Sequence, residues 1–134
     1  MHKCRYRSLH EIRHYARVTV LVIDELVEQA LRELADEAAQ TRLWLASSGL
    51  EVSSLTECRC QLWDDSGLGN ALEKPGVVYT PDIDQALRDL RIGLRRIDDQ
   101  RPPQEVLDDP HLVAARSLAR RLLLELRGFG NDRQ

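Results

Sequence analysis

His10, Glu11, Ile12, Arg13 and His14 spell H-E-x-x-H, the pattern in which helical spacing sets two imidazoles on one face for zinc and leaves a carboxylate to activate water. A hydrolase built on this motif also needs a third ligand and a wall for the substrate. Only nine residues precede His10, and Arg17 stands where the extended Gly-and-His version of the motif requires glycine. Glu25, Glu28 or Glu33 becomes a third ligand only if the chain turns back on itself. Zinc-dependent hydrolysis through His10, Glu11 and His14 is therefore the third choice of function. His10 and His14 stand as candidate metal ligands one helical turn apart, while Glu11 has a structural task as the partner of Ser8 in a capping box.

Cys58 and Cys60 flank Arg59 and could join His2 and Cys4 in a thiolate-rich metal site if the segment were a strand, since the two thiols would then point the same way. Small buried core cysteines are the more economical account. Asp64, Asp65, Ser66 and Asn70 suggest a calcium loop, but the oxygen ligands and closing Glu miss the required offsets, which leaves a loop of Asx-type turns. Asp98 with Asp99, and Asp108 with Asp109, read as charges at helix ends, not as acid-base pairs. Arg116, Arg120, Arg121 and Arg127 on the last helix suit an acidic partner, or more simply a solvated rim of ion pairs. No Gly-rich phosphate loop, nucleophile elbow or C-x-x-C is present, and no cofactor is expected.

Thr19-Val20-Leu21-Val22-Ile23-Asp24-Glu25-Leu26 resembles the strand-to-helix entry of ribbon-helix-helix DNA-binding proteins, in which a basic arm precedes a strand that enters the major groove. The resemblance implies a DNA-binding regulator. It departs from the pattern at the outward strand positions Thr19, Leu21 and Ile23, two of which offer base edges almost no hydrogen bonds. It departs again at Ala38, Ala39, Gln40 and Thr41, which favour continuing a helix where a turn is required.

The elements that must position these residues are helical. Aromatics are 4% of the 134 residues, so Leu, Val, Ile and Ala fill the core, a diet suited to packed helices. Leu9, Ile12, Ala16, Val20, Ile23, Val27, Ala30, Leu34, Ala38 and Leu45 recur three or four apart and predict one long N-terminal helix, stopped at Gly49. The β-branched run Val18 to Ile23 offers the alternative of a strand, with Asp24 capping a shorter helix. Residues 49–79 read as an irregular connector, although Ser54 and Glu57 form a second capping box there. Thr80 with Pro81 and Asp109 with Pro110 are cap-plus-proline starts for two further helices. Asp84 and Arg88 sit at ion-pair spacing on the first of these, and Gly128 reads as the stop of the last.

The expected fold is all-α: a single helical domain over residues 1–134, a bundle of three or four helices with a basic N-terminal arm (1–8), an irregular connector (49–79) and a frayed tail (129–134). A long N-terminal rod would be about 60 Å long, more than a domain of this mass can cover, so a second copy is expected to cover it as a homodimer. The net charge of −3 argues against a whole-molecule footprint for nucleic acid, though residues 1–17 hold five basic side chains and one acidic. Three cysteines suggest reduced thiols in a cytoplasm, and the longest apolar run, Val20 to Ile23, is too short to span a membrane. The favoured function is a non-catalytic cytoplasmic helical bundle acting through protein-protein contacts as a homodimer; a DNA-binding regulator ranks second.

Overall fold

The computed structural model describes residues 12–14, 21–46 and 53–132. Strand β1 (Ile12–His14) pairs antiparallel with β2 (Leu21–Ile23) in the register Ile12 to Ile23, Arg13 to Val22 and His14 to Leu21. The other regular elements of the described residues are helical: α1 (Asp24–Ala35), α2 (Glu37–Trp44), α3 (Leu55–Arg59), α4 (Leu68–Glu73), α5 (Pro81–Arg95), α6 (Pro103–Leu107) and α7 (Pro110–Asp132), with a π-helical segment (Cys60–Asp65) between α3 and α4.

The long N-terminal helix does not form. Leu21, Val22 and Ile23 are extended, as β-branched side chains prefer, and Val22 is wholly buried. Helix α1 starts at Asp24 and spans only about 18 Å at the standard rise. It ends because Asp36 turns extended and its Oδ1 accepts the Ala39 amide at 3.0 Å, capping α2 instead of continuing α1. The apolar stripe of α1, Leu26, Val27, Ala30, Leu31 and Leu34, is buried within the subunit, against α7, α2 and the α3 region. The surplus apolar surface from which a homodimer was inferred is therefore absent from α1.

Within the expected irregular connector, residues 55–73 are largely helical, and the stretch 74–79 is irregular. Ser54 Oγ accepts the Glu57 amide at 3.1 Å and starts α3, which runs directly into a π-helical segment (Cys60–Asp65). Leu55, Cys58, Leu62, Trp63, Leu68, Ala71 and Leu72 all join the core. The expected Asx-turn loop at Asp64, Asp65, Ser66 and Asn70 is replaced by a single tight turn: Ser66 Oγ donates to the Leu62 carbonyl at 2.5 Å and accepts from the Leu68 amide at 3.0 Å. Gly67 makes that turn with φ +82°, and a Cβ there would stand 2.2 Å from the Leu21 carbonyl oxygen, so both its handedness and its closeness to β2 demand glycine.

The predicted starts of α5 and α7 are as expected. Thr80 Oγ1 accepts the Ile83 amide at 3.0 Å, and Asp109 Oδ1 accepts the His111 amide at 2.8 Å. Asp84, however, does not pair with Arg88. It is buried and accepts the Val78 and Tyr79 amides at 2.8 and 3.0 Å, pinning the approach to α5. Gly128 does not stop α7, and residues 129–132 are helical where a frayed tail was expected. Phe129 packs edge-on against Tyr79 with ring centroids 5.5 Å apart, a contact that offsets the low helix propensity of the two glycines beside it.

One polar cluster crosses the core. Gln40 Nε2 donates to the Glu33 and Leu34 carbonyls at 3.0 and 2.7 Å, and Gln40 Oε1 accepts from Arg116 Nε at 2.7 Å. Arg116 Nη2 donates to the Leu107 carbonyl at 2.9 Å, and Arg120 Nη1 to the Ala35 carbonyl at 3.0 Å. The carbonyls exposed by the α1 break are thus satisfied from α2 and α7, where cationic groups also meet the negative end of the α1 dipole. Arg116, 6% exposed, belongs to the core and not to a solvated rim.

Candidate functional site

Arg88, Arg91 and Arg95 follow one another at three- and four-residue steps on α5, which places them in a row along one flank. Two of the three are committed to the neighbouring segment. Arg88 Nη2 donates to the Leu72 carbonyl at 3.0 Å. Arg91 Nη1 reaches the Gly69 carbonyl and Glu73 Oε2, both at 3.5 Å, while its guanidinium lies 5.6 Å from the centre of the Trp63 ring, within cation-π range. Arg95 is exposed and has no hydrogen-bond or ion-pair partner among the described residues.

Arg95 lines a cleft of about 350 Å³ between α5, the loop after it and the α3 region. One wall is Thr56, Arg59, Cys60, Trp63 and Asp64; the other is Arg91, Arg95, Asp99 and Gln100. The first wall follows from helical spacing, because steps of three and four bring Thr56, Arg59, Cys60 and Trp63 onto one face. The π-helical turn adds Asp64 there, a distortion often found where a helix wall is functional.

The floor is polar and fully engaged. Asp99 Oδ2 accepts from Thr56 Oγ1 at 2.5 Å and from Arg59 Nη1 at 3.2 Å, and Asp99 Oδ1 accepts from Gln100 Nε2 at 3.2 Å. Partial burial raises the Asp99 pKa, but the hydrogen bonds from Thr56 and Gln100 and the Arg59 charge outweigh it, so its carboxyl sits below its ordinary range and is ionised at neutral pH. Asp99 is thus a cleft residue, where sequence reading took it for a helix-end charge. Arg59, Arg91 and Arg95 were not singled out at all. The only trace of Arg91 and Arg95 in the sequence is the RDLRIGLR rhythm from Arg88 to Arg95, Arg59 has none beyond its place between Cys58 and Cys60, and the groups they face lie tens of residues away.

The residues expected to do chemistry are distributed otherwise. His14 stands on β1, so at Ile12–His14 the chain is extended where H-E-x-x-H needs a helix; His10 and Glu11, like His2, Cys4 and the basic arm, lie outside the described residues. Among the described residues no group of three or more His, Cys, Asp and Glu side chains could hold a metal ion. Cys58 and Cys60 diverge, as two helical positions must. Cys58 is a buried free thiol, donating to the Ala30 carbonyl at 3.4 Å, with its pKa pushed up by burial and then by the Glu33 charge. Cys60 is on the cleft wall and is disulfide-bonded, so the expectation of reduced thiols fails for it. Strand β2 has β1 along one edge and the Ser66–Gly67 turn along the other, where the Ile23 amide donates to the Ser66 carbonyl at 2.8 Å. A groove-entering strand needs open faces and reading side chains, and here Val22 and Ile23 are buried. Among the described residues no helix is long and apolar enough to cross a membrane.

Comparison of the chain with protein-family models, curated proteins and solved structures finds no match. Functional inference therefore rests on the cleft.

Proposed function

We propose that the protein is a non-catalytic binding protein that acts through contacts, with the α3–α5 cleft as its working surface and an anionic group of the ligand as what it recognises. The observation that carries this is Arg95: a guanidinium without a partner among the described residues, lining a half-open polar cleft beside Arg59, Arg91 and Trp63. Guanidinium groups match carboxylate, sulfate and phosphate oxygens with paired donors. The volume of about 350 Å³ is at the small end of ligand pockets and suits a compact group or one residue of a larger partner. The contact-making role inferred from the sequence thus moves from an apolar stripe on α1, which is covered, to a charged cleft.

The test is titration of the full chain with sodium acetate, sulfate and phosphate at low ionic strength, followed by amide, indole and arginine Nε–H NMR signals. Shifts that saturate and cluster on Thr56, Arg59, Trp63 and Arg95, and that vanish in Arg95→Gln, support the proposal. Shifts spread evenly over surface arginines, or unchanged in Arg95→Gln, refute it.

A further inference from the structure

Resting on that reading of the cleft, we infer that its ligand group is a monoanion, a carboxylate, and that dianions such as phosphomonoesters and sulfate are selected against. The basis is the pairing within the lining: Arg59 is held by Asp99 and Arg91 by Glu73, which leaves Arg95 as the guanidinium without a partner among the described residues, in a cleft that also carries the carboxylates Asp64 and Asp99. One open guanidinium is matched by one carboxylate. A dianion adds a second negative charge beside those carboxylates, in a chain that is already net negative at −3.

The hydrogen bonds sharpen the discrimination. Arg59 is held by Asp99 at 3.2 Å and Arg91 is engaged at Gly69 and Glu73, so Arg95 is the donor with both fork positions open. One planar fork satisfies both oxygens of one carboxylate. A tetrahedral dianion has further charged oxygens, and the α5 side of the cleft also holds the ionised Asp99, whose like charge repels them. Trp63 bounds the opposite wall, buried and with Arg91 over its ring.

Two sources carry a carboxylate of this kind: a free small acid and the carboxy terminus of a peptide chain. The probes are N-acetylglycine, the same compound as its amide, the peptide Ac-Ala-Ala-Gly with a free carboxylate, sulfate, and methanesulfonate, a monoanion of sulfate-like shape. Affinities for the full chain are measured by calorimetry at low ionic strength, with arginine Nε–H signals reporting the site. N-acetylglycine is expected to bind about tenfold or more tightly than sulfate, since one unpaired like charge at contact costs that much in a partly screened site. Methanesulfonate should also exceed sulfate, the amide should not bind, and Arg95→Gln should lose about tenfold of the N-acetylglycine affinity.

Tighter binding of the peptide than of N-acetylglycine assigns the carboxylate to a chain end, and weaker binding assigns it to a free acid; both rankings uphold the inference. Sulfate equal to or tighter than N-acetylglycine overturns the selection for a monoanion while leaving an anion-binding cleft in place. Failure of every anion to move the Arg95 signal overturns the cleft itself.

Discussion

Replacing Arg116 by Met removes a guanidinium from the core while keeping the apolar stem, so the loss is confined to its hydrogen bonds. In the structure those are the 2.7 Å bond to Gln40 Oε1 and the 2.9 Å bond to the Leu107 carbonyl, with Glu37 more distant at 3.8 Å and largely exposed. Each buried acceptor left unpaired costs about 1–3 kcal/mol, while removing a buried charge returns part of that by relieving desolvation. The net expectation is a loss of about 2–4 kcal/mol. At roughly 3–4 °C per kcal/mol for a domain of this size, the melting temperature falls by about 6–16 °C. Arg120→Met is the internal control: Arg120 is exposed and has one backbone bond, to the Ala35 carbonyl, so it should cost under about 1 kcal/mol. Urea melts at 25 °C measure both. The double variant Gln40→Leu with Arg116→Met should lose less than the sum of the single changes, because Gln40→Leu removes the acceptor that Arg116→Met orphans. A cost for Arg116→Met no larger than for Arg120→Met, or strict additivity in the cycle, refutes the assignment of this cluster as the lock on the α1–α2 break.

Three further outcomes follow from particular contacts. Gly67→Ala should destabilise by more than about 2 kcal/mol, combining the left-handed penalty with a backbone clash against the Leu21 carbonyl, and denaturant melts would show it. Asp99 has a lowered folded pKa, so its stabilising contribution is present above its unfolded pKa of 3.8 and is lost as pH falls through the folded value; the stability gap between wild type and Asp99→Asn measured at pH 7 should therefore close as the pH drops below 3.8. Phe129→Ala should raise amide exchange in the last two turns of α7 while leaving its first three turns protected, since the edge-on contact with Tyr79 anchors that end.

What could be read from the sequence was local. Thr80, Asp109 and Ser54 cap helices through bonds to residues two or three positions on, and short-range signals of that kind need no knowledge of the fold. The N-terminal helix was misjudged because three-and-four periodicity and a β-branched run coexist at Val18 to Ile23, and the docking of Gly67 and Ser66 on β2, forty residues later in the chain, tips the balance. Asp36 gave no warning, since an isolated Asp is tolerable in a helix until its side chain captures an amide. Arg116 looked like its surface neighbours because its partner Gln40 lies 76 positions away. The cleft was invisible for the same reason: Thr56 and Arg59 meet Asp99 across 43 and 40 positions.

An unpaired surface arginine is by itself ordinary, because a solvated guanidinium costs nothing to leave in water. The significance of Arg95 comes from the other members of its row. Arg88 and Arg91 are bound to the carbonyls of Leu72 and Gly69, which fixes α4 against α5, and Arg91 also lies over Trp63 of the π-helical segment. Arg59 is bound to Asp99, which fixes α3 against the loop after α5. The same four cations therefore build the walls with three of their number and leave the fourth at the opening between them. A rigid, partly desolvated frame lowers the cost of ordering the remaining donor when a ligand arrives, so Arg95 should bind an anion more tightly than Arg96, its exposed neighbour in sequence outside the cleft lining. Comparing Arg95→Gln with Arg96→Gln in the same N-acetylglycine titration isolates that contribution, and equal losses from the two would mean that the frame adds nothing.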